Sequence, residues 1–149
     1  MLNVVVLTHN FDKNNGNLIE RLDDKGRGYG VIRVEINTLV FAIPLRSNLS
    51  HKSGIVLDQI SNKGRVMRRG LDYTKALLIR DEQKELGSIF TIPNQQKKTL
   101  ISNEKRIITQ FTKYVEGYIS AVQKNTKNTL NSTSYRYSTL PNYHSELGL

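Results

Sequence analysis

Short runs of β-branched and aromatic residues, separated by polar turns, fill most of the first 92 residues. Runs of this composition and length are typical of strands. Only Asn37 and Thr38 separate the second run from the third, so we expect a tight hairpin there. Pro44 has no amide donor, and we expect the second hairpin strand to end at it. Strands are predicted at residues 4–7, 29–36, 39–43, 55–57, 73–79 and 87–92.

The hydrophobic period changes near Ser102, after which apolar residues recur at helical spacing. Ser102 or Asn103 is available to cap the start of this helix, and Glu104 suits its first turn. Weaker helical spacing occurs at residues 17–22 and 139–149, and we expect the second segment to pack on the body of the protein. These elements predict an α+β fold in which a strongly curved antiparallel sheet carries one long helix and smaller helices. The apolar positions of the long helix are Ile107, Ile108, Phe111, Tyr114, Val115, Tyr118, Ile119 and Val122.

The composition fits a single globular domain spanning residues 1–149. Hydrophobic residues make up 38% of the chain, and no apolar run approaches the ~20 residues that a membrane-spanning helix needs. The first residues lack the basic start of a signal peptide, so we expect a cytoplasmic protein. There is no cysteine, which excludes disulfides, thiolate zinc sites and a cysteine nucleophile.

The excess of basic over acidic residues predicts a polyanionic partner. Lysine and arginine number 22 against 13 acidic residues, which gives a formal charge of +9 and an isoelectric point near 9.9. Phosphate-backbone binding is the usual physical reason for such an excess, because each neutralised phosphate releases condensed counterions. A generally basic, solvated surface is the alternative.

The loop after Pro44 concentrates side chains that suit phosphodiester chemistry. A phosphodiester needs donors near its nonbridging oxygens and a group that moves protons. Arg46, Ser47, His51 and Lys52 are of the right types and lie within seven residues. An ordinary hydrophilic connection between strands accounts for the same composition, and the residues alone leave both interpretations open.

A metal-dependent site is disfavoured by the acidic residues and histidines. Magnesium needs converging carboxylates, and the acidic residues here are sparse. His9, His51 and His144 show none of the spacings of zinc ligands. We therefore expect neither a metal nor another cofactor.

Two further groups suit RNA binding. Four cations within seven residues are predicted to form a basic loop that binds phosphate, or a merely solvated one. On a strand, Tyr73 and Lys75 would share a face, where a tyrosine can stack a base and a lysine can hold its phosphate. The alternative is a lysine on the solvated side of an edge strand. The four cations are Lys63, Arg65, Arg68 and Arg69.

Four strings, in order and spacing, resemble the TenpN branch of type III toxins, a group that also includes the ToxN and CptN toxins. Each string is short, but together they extend over nearly the whole chain. They are KGRGYGV at residues 25–31, FAIPLRSN at 41–48, GLDYTKA at 70–76, and YSTL at 137–140 followed by residues 143–148.

The resemblance implies a sheet like those of the Kid and MazF toxins, and RNA cleavage without metal that leaves a 2′,3′-cyclic phosphate and a 5′-hydroxyl. It implies a bacterial cytoplasmic toxin of a phage-defence module. Such a toxin processes its own tandem-repeat RNA antitoxin, a structured and pseudoknot-like RNA, and cleaves cellular or phage RNA when released. The toxin is then held inactive in a closed assembly bridged by the RNA repeats.

Carried over by residue, the serine of the family's proline-leucine-x-serine turn is Ser47, and the basic residue before the core hairpin is Arg27. We expect Ser47 to position or relay the proton of the attacking 2′-hydroxyl. Arg46 and Lys52 would meet the charge growing on the phosphate, and His51 is a candidate acid for the leaving oxygen, since histidine titrates near neutral pH. The flanking nucleotides would be held by Arg27, Tyr29 and Asn48.

Two alternatives stay open from the sequence. One is a noncatalytic protein that binds structured RNA through the same basic segments. The other is a toxin of a different type that a protein inhibits.

Overall fold

The structure is a computed structural model and describes residues 2–23 and 28–149. It is an α+β protein, as the sequence predicts. The strands are β1 (Val4–Leu7), β2 (Gly30–Ile36), β3 (Leu39–Arg46), β4 (Gly54–Asn62), β5 (Arg65–Asp72), β6 (Leu77–Ile79) and β7 (Leu86–Ile89). The helices are α1 (His9–Asn14), α2 (Glu82–Glu85), α3 (Asn94–Ser102), α4 (Glu104–Gln123) and α5 (Lys127–Leu130).

The sheet contains seven strands in the described residues, and every strand pairing is antiparallel. The order is β4-β5-β3-β2-β1-β7, and β6 pairs with β3 beside that path. The end strands β4 and β7 do not pair with each other, so the sheet is not closed.

The predicted hairpin between β2 and β3 is confirmed. Asn37 and Thr38 both have positive φ values, 47° and 72°. Two consecutive residues of this kind form the turn whose twist matches that of the flanking strands.

The prediction that Pro44 ends the hairpin strand is wrong, because β3 continues to Arg46. On one side of β3, the pairing with β6 ends at Ala42 and the pairing with β5 begins at Leu45. Pro44 lies in the gap between these two neighbours, where that side of the ladder is interrupted. The missing amide donor of Pro44 is tolerated there. The strand can therefore continue to Arg46.

The predicted basic loop at residues 63–70 is also corrected. Lys63 and Gly64, with φ values of 51° and 78°, form the turn between β4 and β5. The residues that follow are paired in strand β5. The basic segment is therefore one arm of a long hairpin, whose outer half is exposed.

The long helix α4 confirms the predicted one and covers the hydrophobic core. Phe111 is fully buried, and its ring meets Phe41 of the sheet edge-on at 5.3 Å between centroids. Asn103 occupies the N-cap position, as predicted, but its side chain makes no capping hydrogen bond. The side chain of Asn103 donates to Thr99 O, because α3, which the sequence analysis missed, leads directly into α4. The buried α4 residues are Ile107, Phe111, Tyr114, Val115, Tyr118 and Ala121.

The shorter predicted helices differ from the structure. Residues 17–22 are not helical; α1 lies before them and is capped by Thr8, whose hydroxyl accepts from the Phe11 amide. The segment at 139–149 packs on the body, with Leu140 and Tyr143 fully buried, but its regular part is only a 3₁₀ turn. In the described part of the chain, no helix has the length and apolar character needed to cross a membrane.

Candidate functional site

A cleft of about 430 Å³ opens where β3 and β5 end. Four separate stretches of the chain meet around it. Its lining residues are Glu20, Arg21, Leu22, Asp23, Arg46, Ser50, His51, Thr74, Lys75, Thr133 and Tyr137.

Asp72, the last residue of β5, does not line the cleft itself; it is fully buried and contacts the lining residues Arg46 and Thr74. Its Oδ1 accepts from the backbone N of Thr74 at 2.9 Å and from Thr74 Oγ1 at 2.6 Å. A carboxylate that follows a strand in this way caps the turn that comes next. A buried charge is stable only when it is paired and hydrogen-bonded, so Asp72 requires a cation.

Arg46 supplies that cation. Its Nη1 donates to Asp72 Oδ2 at 3.0 Å, and its side chain is 32% exposed. The register of β3 against β5, in which Arg46 pairs with Gly70, places the guanidinium beside the carboxylate. A guanidinium has five N–H donors, and the Asp72 bond uses one of them. Arg46 is thus held at its inner side and partly open on its outer side.

His51 also belongs to this group, but both of its ring nitrogens face the protein. Nδ1 accepts from the backbone N of Ser53 at 3.1 Å. Nε2 is shielded from solvent and lies 3.1 Å from Asp72 Oδ1, although the approach lacks hydrogen-bond geometry. The ring therefore packs as a support for Asp72.

Two more cations that line the cleft are fixed by defined contacts: Arg21, which pairs with Asp12, and Lys75. The Nζ of Lys75 donates to Tyr137 O at 2.8 Å and to Glu20 Oε2 at 3.2 Å. Lys75 is in a 3₁₀ turn, Tyr73–Lys75, so the predicted strand that would place it on one face with Tyr73 is absent.

The stacking role predicted for Tyr73 is consequently wrong. Tyr73 is 3% exposed, and its ring packs against Phe111. Its hydroxyl donates to Gln110 at 2.8 Å, and burial raises the pKa of the phenol. Tyr73 is a core residue.

The other predicted catalytic residues, Ser47 and Lys52, are exposed and do not line the cleft. Asn48 is exposed beside Ser47. The backbone N of Leu49 donates to Arg68 O at 2.7 Å, which ties this loop to β5. The structure therefore brings together Arg46, His51 and Lys75 of the predicted set and leaves Ser47 outside.

The remaining predicted RNA-binding residues divide into several classes. Arg27 lies outside the described residues. Tyr29 is half-buried, and its hydroxyl donates to Leu22 O at 3.1 Å. Lys63, Arg65 and Arg68 are exposed along the hairpin, and no acidic partner of theirs occurs in residues 2–23 and 28–149.

Arg69 differs from its neighbour Arg68, because its Nε donates to Asp58 Oδ1 at 2.8 Å. This bond lowers the pKa of the Asp58 carboxyl and raises the pKa of the guanidinium. Arg69 therefore staples β4 to β5, and it is the one cation of the predicted cluster with a neutralising partner among the described residues.

Sequence reasoning missed Asp72 and Glu20. Asp72 carries a local signal, since an aspartate at a strand end followed two residues later by threonine is typical of a capped turn. Glu20 carries none, because its contact with Lys75 joins residues 55 positions apart. Within the described ranges, no three histidine or acidic side chains gather into a metal-binding group.

No protein-family model, curated protein or solved structure matches the chain. The function is therefore inferred from the geometry and charge of the cleft and of the hairpin.

Proposed function

We propose that this protein is a metal-independent endoribonuclease, a toxin of type III toxin–antitoxin systems, and that the cleft is its active site. The observation that carries the proposal is that Arg46, anchored on the buried Asp72, lines one cleft together with Lys75. Two positioned cations in one cleft provide for both the binding of a phosphodiester and the extra charge of its transition state.

In this reaction the RNA supplies the nucleophile. Its 2′-hydroxyl attacks the adjacent phosphorus in line, which forms the 2′,3′-cyclic phosphate and releases a 5′-hydroxyl. Arg46 and Lys75 stabilise the phosphate oxygens as their charge grows. Removing one such preorganised donor lowers catalytic rates by about 10²–10³-fold.

His51 receives a different role from the one that the sequence suggests. Its Nδ1 accepts from Ser53, and its Nε2 is shielded next to Asp72, so neither nitrogen is open to RNA. We therefore assign His51 to holding Asp72, and Asp72 to orienting Arg46.

Partner binding follows from the distribution of charge. The exposed cations of the β4–β5 hairpin suit the backbone of a structured RNA, which we take to be the repeat antitoxin. An RNA unit that covers the cleft of one toxin and the hairpin of the next makes heterologous contacts, and such contacts close into a ring when the rotation permits. A sheet related to those of Kid and MazF, in the bacterial cytoplasm, is part of the same proposal.

The test uses RNA oligonucleotides incubated with the purified protein in excess EDTA. We expect cleavage, a cyclic phosphate at the new 3′ end, and no cleavage when a 2′-deoxynucleotide replaces the residue at the cut. A strict requirement for magnesium would contradict the mechanism. Short tandem repeats in the DNA directly upstream of the coding sequence would support the type III assignment, and their absence would contradict it.

A second candidate function is noncatalytic binding of structured RNA. The enclosed nitrogens of His51 favour it, because the cleft then lacks the imidazole that many metal-free nucleases use. This alternative predicts tight, salt-dependent binding of RNA that stays intact under the conditions of the cleavage test.

A further inference from the structure

Glu20 is a residue of the cleft that the proposed mechanism has not yet used. Its Oε2 lies 3.2 Å from Lys75 Nζ, and its side chain is 38% exposed. Its backbone has a φ of 63°, which residues other than glycine adopt rarely. Such conformations cost about 1 kcal/mol or more and concentrate at functional sites.

The cleft needs a group that accepts the proton of the 2′-hydroxyl. Asp72 cannot take this role, since it is fully buried and bonded to Arg46 and Thr74. His51 cannot take it in this conformation, because its nitrogens are enclosed. Glu20 offers a partly exposed carboxylate beside one of the two cations that we assign to the phosphate.

We propose that Glu20 is the general base of this site, an inference that rests on the proposed endoribonuclease function. Glu20 takes the proton of the 2′-hydroxyl as the oxygen forms its bond to phosphorus. The bond from phosphorus to the 5′-oxygen breaks. That oxygen keeps the electron pair of the broken bond and takes a proton from the Lys75 ammonium. The neutral Glu20 carboxyl then gives one proton to the adjacent neutral Lys75 amine. This transfer restores both charges without a further reactant.

The competing explanation is that the Glu20–Lys75 pair only ties residues 16–23 to the body of the protein. The substitution Glu20→Gln separates the two, because the amide keeps a hydrogen-bond acceptor for Lys75 and loses the base. Glu82→Gln is the matched control. Glu82 is 43% exposed, pairs with Arg33 and lies outside the cleft.

Single-turnover cleavage under saturating protein and the affinity for uncleaved RNA are measured for both variants. General acid–base catalysis contributes about 10²–10⁴-fold, so we expect Glu20→Gln to lower the rate at least about 100-fold. Its RNA affinity should stay equal or increase, because a negative charge leaves the phosphate site. Glu82→Gln should cleave at the wild-type rate.

Chemical rescue and the pH profile test the base further, and the pH profile responds to a base and not to a structural contact. Formate added to Glu20→Ala should restore part of the cleavage, because a small carboxylate can enter the vacated space. The fall of the wild-type rate at acid pH should be reduced in Glu20→Gln. The charged and titratable groups that line the cleft around Glu20 are Arg21, Asp23, Arg46, His51, Lys75 and Tyr137.

The outcomes distinguish this inference from the function on which it rests. Wild-type protein that cleaves RNA, together with a Glu20→Gln variant that cleaves as fast as Glu82→Gln, overturns the role of Glu20 and leaves the nuclease intact. An unfolded Glu20→Gln variant and no formate rescue of Glu20→Ala assign Glu20 to structure and also overturn it. Wild-type protein that binds RNA and leaves it intact overturns the nuclease and the base together.

Discussion

The cleft and the outer half of the β4–β5 hairpin both carry cations, but they hold them differently. In the cleft, Arg46 is anchored by the buried Asp72, and Lys75 is fixed by Glu20 and a backbone carbonyl. On the hairpin, Lys63, Arg65 and Arg68 extend into solvent. A fixed cation can favour one transition-state geometry, whereas a mobile one attracts any phosphate nearby. In the function that we propose, the cleft would therefore serve chemistry and the hairpin would serve affinity.

The largest expected effect comes from removing the anchor of the cleft. Asp72→Ala leaves the half-buried Arg46 guanidinium without its partner and removes the cap of the next turn. Breaking a buried pair in this way destabilises a protein by about 3–5 kcal/mol. Urea unfolding should show this loss, with Asp72→Asn intermediate because its amide oxygen still accepts from Thr74. An unchanged midpoint for Asp72→Ala would show that the pair is dispensable.

Arg46→Lys tests whether the cleft needs a shaped cation or only a charge. Lysine keeps the charge and loses the planar set of donors that binds a carboxylate and a phosphate together. We expect RNA cleavage to fall by about 10²-fold. Arg33→Lys, a surface residue paired with Glu82, is the control. Equal cleavage rates for Arg46→Lys and the wild type would show that the cleft needs only the charge of Arg46 and not its planar set of donors.

A smaller effect is expected on the hairpin, where neighbouring arginines form a matched pair. Arg68→Ala should weaken RNA binding and flatten its salt dependence by about 0.7–0.9 in the log–log slope, the value for one phosphate contact. Arg69→Ala should leave the slope unchanged, since Asp58 already neutralises Arg69. Titrations of RNA at several salt concentrations measure both. If the two slopes agree, pairing does not determine which cations bind phosphate.

The smallest effect is expected for Ser47→Ala. Ser47 is exposed and does not line the cleft, so we expect the Ser47→Ala variant to cleave RNA at close to the wild-type rate. The resemblance to type III toxins instead implies that Ser47 takes part in proton transfer. On that interpretation, Ser47→Ala would abolish cleavage. A kinetic assay at saturating RNA decides between these expectations, and abolished cleavage would move the active site to the Ser47 loop.

Local patterns determined much of the fold. The β2–β3 hairpin follows from two turn residues between β-branched runs, and α4 follows from its apolar spacing. The β4–β5 hairpin was missed because Arg65, Arg68 and Arg69 interrupt the apolar pattern of the strand, although the Lys63-Gly64 turn marks it. Pro44 misled because its tolerance depends on which strands flank β3, and that is a tertiary property.

The candidate site was predictable only in part, and for the same reason. Arg46 and His51 stand out as a basic, polar stretch directly after a strand. Asp72 and Glu20 reach them through the β3–β5 register and a contact between distant segments. Tyr73 was misassigned because the local sequence does not distinguish a buried tyrosine from one that stacks on a base. The contact with Phe111, which is distant in sequence, shows that Tyr73 is buried.

The cleft draws its lining from stretches near Glu20, Arg46, Lys75 and Tyr137. Contacts between residues so far apart form slowly, because loop-closure entropy must be overcome before they can stabilise anything. Cleavage activity should therefore appear with the slowest phase of refolding, after most of the fluorescence change of the tyrosine-rich core. In the function that we propose, a chain that has formed only its hairpins would therefore not yet cleave RNA.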